Sequence, residues 1–218
     1  MLPAGDSDQA CRSRRDHGGM RRIHPASPMR RGPQAVMIAA MGLFTRKRSE
    51  TAPQAEIAVR RAGRGDAEAV AELARALSLA DGGRPSRFTA QAYLRDGFGD
   101  NPAFTVLVAE CDGQVAGYAL YYPGYDTDRA TRGVYLADLF VREGFRRRGV
   151  ARALMRAVAR AARAAGGSWM FWSVIRRNKA ARKFYRTLAT ELSDVIVCAA
   201  FGRGFDALSR GDPPKPDD

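Results

Sequence analysis

The clearest pattern of apolar and polar positions lies between residues 135 and 165. Residues 135–141 are apolar or aromatic except for one acid, Asp138, and this short run predicts a buried strand. From Val150 onward, apolar residues recur every three or four positions and arginines occupy the other side, which predicts a helix. Gly166 and Gly167 end that helix because glycine adopts the left-handed backbone of a helix C-terminus.

The remaining segments predict a mixed sheet with helices. Asp112-Gly113 separates two β-rich runs and is a strong hairpin signal. Asp66, Thr89 and Asn178 stand where helix N-caps are expected. The predicted order is β, α, α, β, β, β, α, β, α, β, an α/β fold in which a hairpin precedes a β-α-β unit. The predicted strands besides 135–141 are 56–61, 104–111, 114–122, 168–175 and 191–201, with a polar loop at 123–131, a helix at 178–188 and a short element at 205–209.

The two ends of the chain differ from its middle. Residues 1–55 are rich in Arg, Pro, Gly and Ser, with little periodicity, which predicts a disordered leader or an over-long start that properly begins at Met29, Met37 or Met41. An apolar run at 35–44 is too short to span a membrane, although a cleaved leader or a membrane-surface segment stays open. We therefore expect one domain over 56–210 and a mobile tail over 211–218.

Composition narrows the classes of function. The net charge is +13, but the arginines are spread out and match no nucleic-acid-binding motif, so we expect neither nucleic acid nor membrane as a partner. The three cysteines are far apart, which favours a reducing, cytoplasmic compartment and argues against a zinc site. Both histidines, His17 and His24, lie in the leader, so a histidine-based triad or metal site in the domain is excluded.

The loop between the central strand and the long helix reads Arg146-Arg147-Arg148-Gly149-Val150-Ala151. The first turn of a helix offers unpaired N–H groups at the positive end of its dipole, which together form an anion site. Gly149 lets the backbone approach a ligand closely, and the arginines add charge. Neither GxxxxGK[ST] nor GxGxxG occurs here, and the loop predicts a different pyrophosphate cradle.

Arg146-x-x-Gly149-x-Ala151 resembles the acetyl-CoA loop of the GCN5-related N-acetyltransferases (GNAT superfamily). The segments 117–122, 135–141 and 178–185 are similar to the diamine and polyamine branch, and the resemblance covers about 57–209. It implies a mixed sheet flanked by about four helices, with acetyl-CoA in a V between splayed fourth and fifth strands. It also implies acetyl transfer to a primary amine of a small molecule. A protein N-terminal or lysine acetyltransferase and a non-catalytic acyl-CoA-binding module are the alternatives, and a homodimer is left open.

The same resemblance implies the site residues. Tyr185 matches the tyrosine that protonates the leaving thiolate. Asp138 binds a cationic acceptor, relays a proton, or is a structural acid bonded to backbone, and backbone N–H groups near Phe140 and Val141 polarise the thioester carbonyl. No metal is expected. The acetyl-CoA-binding candidates are Leu139, Phe140, Val141, Arg146, Arg147, Arg148, Gly149, Val150, Ala151, Arg152, Asn178, Ala180, Ala181 and Tyr185.

Three departures from the diamine pattern leave the acceptor amine open. Ala137 stands where the diamine enzymes carry a Glu that helps to bind the cationic nitrogen, Arg177 where they carry a Trp, and Ala189 where they carry a Gly. Tyr118, Tyr121, Tyr122 and Trp172 line the acceptor pocket or belong to the core.

Overall fold

The computed structural model describes residues 56–211, which form a five-stranded sheet covered by helices. The expectations for the leader and for residues 212–218 lie outside this range. The sheet order is β1-β2-β3-β4-β5, antiparallel except for the parallel pair β4–β5, so the predicted mixed α/β fold is confirmed. The strands are β1 Ile57–Arg61, β2 Thr105–Cys111, β3 Gln114–Asp126, β4 Thr131–Val141 and β5 Gly167–Trp172; the helices are α1 Ala67–Ala80, α2 Ala90–Asp96, α3 Val150–Ala164, α4 Lys179–Tyr185 and α5 Gly202–Arg210.

Both faces of the sheet are buried, which gives three layers. On one face α3 packs Leu154 and Val158 against strand residues such as Ala119. On the other face α1 and α2 pack with alternate strand residues such as Val108 and Tyr118. Side chains alternate between the two faces of β3, so this strand contributes residues to the core on both sides of the sheet.

The β3–β4 hairpin is longer than predicted, and the expected loop at 123–131 is wrong. Strand pairing continues to Asp126 and Thr131, so only residues 127–130 form the turn. Gly124 and Gly133 face each other across the hairpin, and the ring of Trp169 lies against both. A Cβ built on Gly133 would lie 2.1 Å from the Trp169 ring, so the glycines here make room for an indole.

The parallel pair β4–β5 separates partway along its length. Pairing runs from Arg132–Gly167 to Leu136–Trp172, and residues 137–141 of β4 have no partner on the β5 side in the described structure. The separation begins at a bulge in β4. Leu120 pairs with Asp138 and Tyr121 pairs with Leu136, so Ala137 between them has no partner on β3. The expected V between these strands is present, and β5 ends at Trp172 rather than at residue 175.

The predicted strand at 191–201 is wrong, because this segment pairs with no strand of the described chain. Glu191 is held against α4 by ion pairs with Arg182 and Arg186, and the chain beyond it leaves the body of the domain with apolar side chains exposed. The expected short element at 205–209 is α5. Helix α4 is shorter than predicted and ends at Tyr185, and none of the helices between residues 56 and 211 is long and apolar enough to cross a membrane.

Candidate active site

The separation of β4 from β5 opens a cavity of about 570 Å³ between the end of α1, the end of β4, the start of α3 and α4. A smaller cavity of about 180 Å³ adjoins it on the β5 side. The two share part of their walls, including Leu139, Asn178 and Tyr185. The site is therefore built from segments that lie far apart in the sequence.

The basic loop has the backbone of an anion site. Arg147 and Gly149 both have positive φ, +65° and +92°, and loops of this kind turn successive N–H groups toward one concave face. The N–H groups of residues 147–152 donate to no described residue, and α3 adds the positive end of its dipole. The loop is fixed to β4 because Arg146 Nε donates to the Val141 carbonyl at 3.2 Å.

The side chains of residues 146–152 differ in whether they line a cavity. Arg146 and Ala151 line the larger cavity, whereas Val150 is only 1% exposed and packs in the core. Arg148 lies over the Phe145 ring at 5.4 Å, and Arg152 donates to Thr187 Oγ1 at 2.9 Å. Arg147, Arg148, Gly149 and Arg152 line neither cavity.

The other predicted donor-site residues converge on the larger cavity. The end of β4 contributes Leu139, Phe140 and Val141, and the start of α4 contributes Asn178, Ala180 and Ala181. The predicted N-cap at Asn178 is confirmed, because its Oδ1 accepts from the Ala181 N–H at 3.0 Å. This capping bond occupies the amide oxygen, so Asn178 offers its NH₂ group to a ligand.

Tyr185 lies in the wall that both cavities share. Its ring contacts those of Trp172 and Phe184, each with a centroid distance of 5.4 Å. Burial, and secondarily the charge of Asp81, raises the pKa of Tyr185 to about 12. The hydroxyl therefore keeps its proton throughout the physiological range.

Asp138 lines the smaller cavity beside the bulged residue Ala137. Its carboxylate accepts a hydrogen bond of 2.8 Å from the hydroxyl of Tyr118, a side-chain partner in place of the backbone partner that the structural alternative proposed. Burial raises the pKa of Asp138, the hydrogen bond from Tyr118 lowers it, and the charge of Asp81 raises it further, with a net increase. Tyr118 is fully buried and orients the carboxylate; of the four aromatic residues that were candidates for the acceptor pocket, only Trp172 lines the cavity.

Sequence reasoning missed Asp81. It follows α1, lines both cavities, and its carboxylate makes no hydrogen bond or ion pair with the described part of the chain. Arg177 donates to its backbone oxygen at 2.6 Å and so ties the β5–α4 loop to α1. The Asp81-Gly82-Gly83 sequence signals only the end of a helix, and no local pattern predicts that Asp81 lies opposite β4.

Comparisons with known proteins agree with this geometry. A family model described as the acetyltransferase (GNAT) family matches residues 69–189. The thialysine N-epsilon-acetyltransferase of Sus scrofa is 34% identical over 146 residues, which cover 62% of this chain and 84% of that protein. An L-ornithine N5-acetyltransferase of Arabidopsis thaliana is 33% identical over 97 residues, covering 44% of this chain and 42% of that protein.

Solved structures share the fold at low sequence identity. An integron cassette protein of V. cholerae superposes with a TM-score of 0.60 at 21% identity, over 71% of this chain and 98% of that chain. An aminoglycoside N-acetyltransferase in complex with CoA gives a TM-score of 0.56 at 23% identity, over 67% and 95%. The family model spans more than half of the chain. Together with the relatives that are 33–34% identical, it establishes that the chain belongs to the GNAT family and is an N-acetyltransferase.

Proposed function

We propose that this enzyme moves an acetyl group from acetyl-CoA to a primary amine of a small molecule that carries a second positive charge. The observation that carries the proposal is the presence of two carboxylates, Asp81 and Asp138, on the cavity beside Tyr185. In a chain of net charge +13, two acids at one cavity mark a local reversal of charge that suits a cationic ligand.

The donor side fits a CoA thioester. The unpaired amides of residues 147–152 suit a pyrophosphate, and the larger cavity, with its volume of about 570 Å³ and its mainly apolar lining, suits the arm that carries the acetyl group. Acetyl-CoA, when bound, supplies an activated acetyl group as a thioester. The strand end near Phe140 and Val141, free on the β5 side, has N–H groups available to polarise a carbonyl oxygen in the cleft.

The acceptor side offers one carboxylate for each charge of a diamine. Ala137 lacks the Glu of the diamine pattern, but Asp81 brings a carboxylate to the same cavity from α1. The relatives from Arabidopsis thaliana and Sus scrofa are named for ornithine and thialysine, each of which carries two amino groups. One carboxylate holds the distal cation while the other faces the reacting nitrogen.

Asp138 and Tyr185 divide the proton chemistry between them. An amine attacks only after it loses a proton, and the raised pKa of the Asp138 carboxylate makes it a better base than an ordinary aspartate. A thiol with a usual pKa of about 8.5 is a stronger acid than Tyr185, so full proton transfer from the tyrosine to the leaving sulfur is unfavourable. Tyr185 therefore stabilises the leaving thiolate by donating a hydrogen bond.

Gly149→Glu should abolish the stabilisation by acetyl-CoA. The wild-type protein should gain about 2.7 kcal/mol at a ligand concentration of 100 times Kd, measured as a rise in Tm. The glutamate places bulk and negative charge at the amide cradle, so its Tm should not respond to acetyl-CoA. Gly65→Glu adds the same charge at an open surface position and should respond like wild type. An equal rise in Tm for Gly149→Glu, folded by circular dichroism, would show that the cradle is elsewhere.

The pH dependence of kcat/KM should report Asp138. Activity requires the ionised carboxylate, and burial raises its pKa, so activity should fall with decreasing pH through a midpoint above the usual aspartate value of about 3.9. Asp138→Asn should remove this acid limb and lower kcat by about 10²–10⁴-fold. The acceptor amine titrates near pH 10 and affects a separate limb. An unchanged acid limb in the variant would exclude Asp138 as the base.

Asp81→Asn should discriminate between acceptors by charge. For a diamine such as ornithine, KM should rise about 10-fold or more with little change in kcat, because only a charge contact is lost. For a monoamine of the same length, KM should barely change. Asp100→Asn, at an exposed position outside both cavities, serves as the control. The measurement is steady-state release of free thiol across an amine panel that includes N-terminal and lysine peptides. Equal effects on both amines, or turnover of peptides alone, would contradict a small cationic acceptor.

A further inference from the structure

We propose that Arg177 is a positioning residue for the acceptor: its guanidinium holds the end of α1 so that the Asp81 carboxylate stays at the acceptor cavity. This role rests on the proposed function, in which Asp81 binds the second positive charge of the acceptor, and it names the residue that keeps Asp81 in place. Arg177 stands where the diamine pattern carries a Trp, so the guanidinium is not part of that pattern.

Asp81 lies at a helix end that is weak on its own. It is the C-cap of α1, and two glycines follow it, of which Gly82 has a positive φ of +76°. A negative side chain is unfavourable at the C-terminus of a helix, where the dipole is negative, and α1 has no basic residue in its last turn. Residues 83–89 form neither helix nor strand. The local sequence therefore favours fraying at the position that carries the acid.

Arg177 supplies what the end of α1 lacks. The N–H groups of residues 81–83 bond to carbonyls of the last helical turn, and Arg177 Nη2 donates to the Asp81 carbonyl at 2.6 Å. A Cβ built on Gly82 would lie 3.4 Å from the same nitrogen, so the guanidinium lies directly against this turn. It therefore brings both a donor and a positive charge to a helix C-terminus, where both are stabilising.

The loop that carries Arg177 is itself fixed to α4. The side chain of Asn178 caps that helix, and Arg182 donates from it to the Arg176 carbonyl at 3.2 Å. In the described part of the chain, no other hydrogen bond or ion pair joins this loop to residues 81–89. Arg177 therefore links a fixed loop to a helix end that has no second link of this kind.

The contact positions Asp81 without neutralising it. Arg177 bonds to the backbone oxygen, and the Asp81 carboxylate forms no ion pair with Arg177 or with another described residue. After burial, which is the larger cause, the charge of Asp81 raises the pKa of Tyr185, so this charge acts at the site. An arginine paired with the carboxylate would cancel the charge that attracts a cationic acceptor.

Removal of Arg177 has opposite consequences for a positioning role and for a role in charge alone. The loss of a nearby positive charge by itself strengthens the attraction of the cavity for a cation, so the KM for a diamine falls. The loss of the tether lets the Asp81 carboxylate leave the cavity, so the KM rises. The direction of the change in KM therefore separates the two roles.

Steady-state kinetics of Arg177→Met test the positioning role with diaminobutane, which has no carboxyl group that could bind an arginine, and with butylamine. The KM for diaminobutane should rise about 5–10-fold with kcat little changed, whereas the values for butylamine should barely change. Arg177→Lys keeps the charge and a donor and should restore most of the diamine KM. Arg176→Met removes the same charge from an exposed side chain that lines neither cavity and should behave like wild type. A diamine KM that is unchanged or lower in Arg177→Met would overturn the role.

The double variant with Asp81→Asn tests whether Arg177 acts through Asp81. Once the carboxylate is gone, the tether has nothing to position, so adding Arg177→Met should leave the diamine KM of Asp81→Asn unchanged within about 2-fold. Effects that multiply would contradict a role through Asp81. If Asp81→Asn alone leaves the diamine KM unchanged, the proposed function fails and the role of Arg177 fails with it. If Asp81→Asn raises the KM and Arg177→Met does not, only the role of Arg177 fails.

Hydrogen exchange of the free enzyme tests the tether without a substrate. The N–H groups of Gly82 and Gly83 bond to carbonyls in the last turn of α1, and in Arg177→Met they should exchange about 10-fold faster than in wild type or in Arg176→Met. Amides of α3 should exchange at the same rate in all three proteins. Equal exchange of Gly82 and Gly83 in the three proteins would show that α1 keeps its end without Arg177 and would overturn the proposal.

Discussion

The loss of pairing between β4 and β5 beyond Leu136 and Trp172 is the constraint on which the site depends. Two parallel strands that stayed hydrogen-bonded to their ends would leave neither a cleft nor free N–H groups. The bulge at Ala137 begins the separation, and the packing of Trp169 on Gly124 and Gly133 holds the other end of the pair closed. The opening is therefore a fixed feature of the sheet, with a tight end and an open end.

Groups of opposite charge lie on the two sides of the opening. From one side, the loop before α3 presents unpaired amides and positive charge, which suit a phosphate-bearing donor. From the other side, α1 and β4 present Asp81 and Asp138, which suit a cationic acceptor. Tyr185 stands in the wall between the two cavities, where burial keeps its hydroxyl protonated. The two halves of the opening therefore carry opposite charges on a chain that is strongly basic as a whole, and this difference is the basis of the proposed division between donor and acceptor.

Local patterns predicted the central part of this arrangement and not the contacts between distant parts. The change of period at Val150, the loop before it and the cap at Asn178 are encoded by neighbouring residues, and each matches the structure. Asp81 escaped prediction because its role depends on where α1 ends relative to β4, which no local signal records. The strand expected at 191–201 has the right composition, but a strand also needs a neighbour, and this segment pairs with none in the described chain. The hairpin was predicted too short because Pro123 and Gly124 signal a turn, whereas the Trp169 ring requires the glycine.

The most direct measurement of the central claim, that acetyl transfer takes place at the wall between the cavities, is the single-turnover rate of Tyr185→Phe with acetyl-CoA prebound. This variant keeps the ring contacts with Trp172 and Phe184 and removes only the hydroxyl. The account predicts unchanged folding and acetyl-CoA affinity with a rate lowered by about 10²–10³-fold, because one hydrogen bond to the leaving thiolate is lost, and a wild-type rate for Tyr125→Phe, whose side chain is exposed and lines neither cavity. A wild-type single-turnover rate for Tyr185→Phe would contradict it.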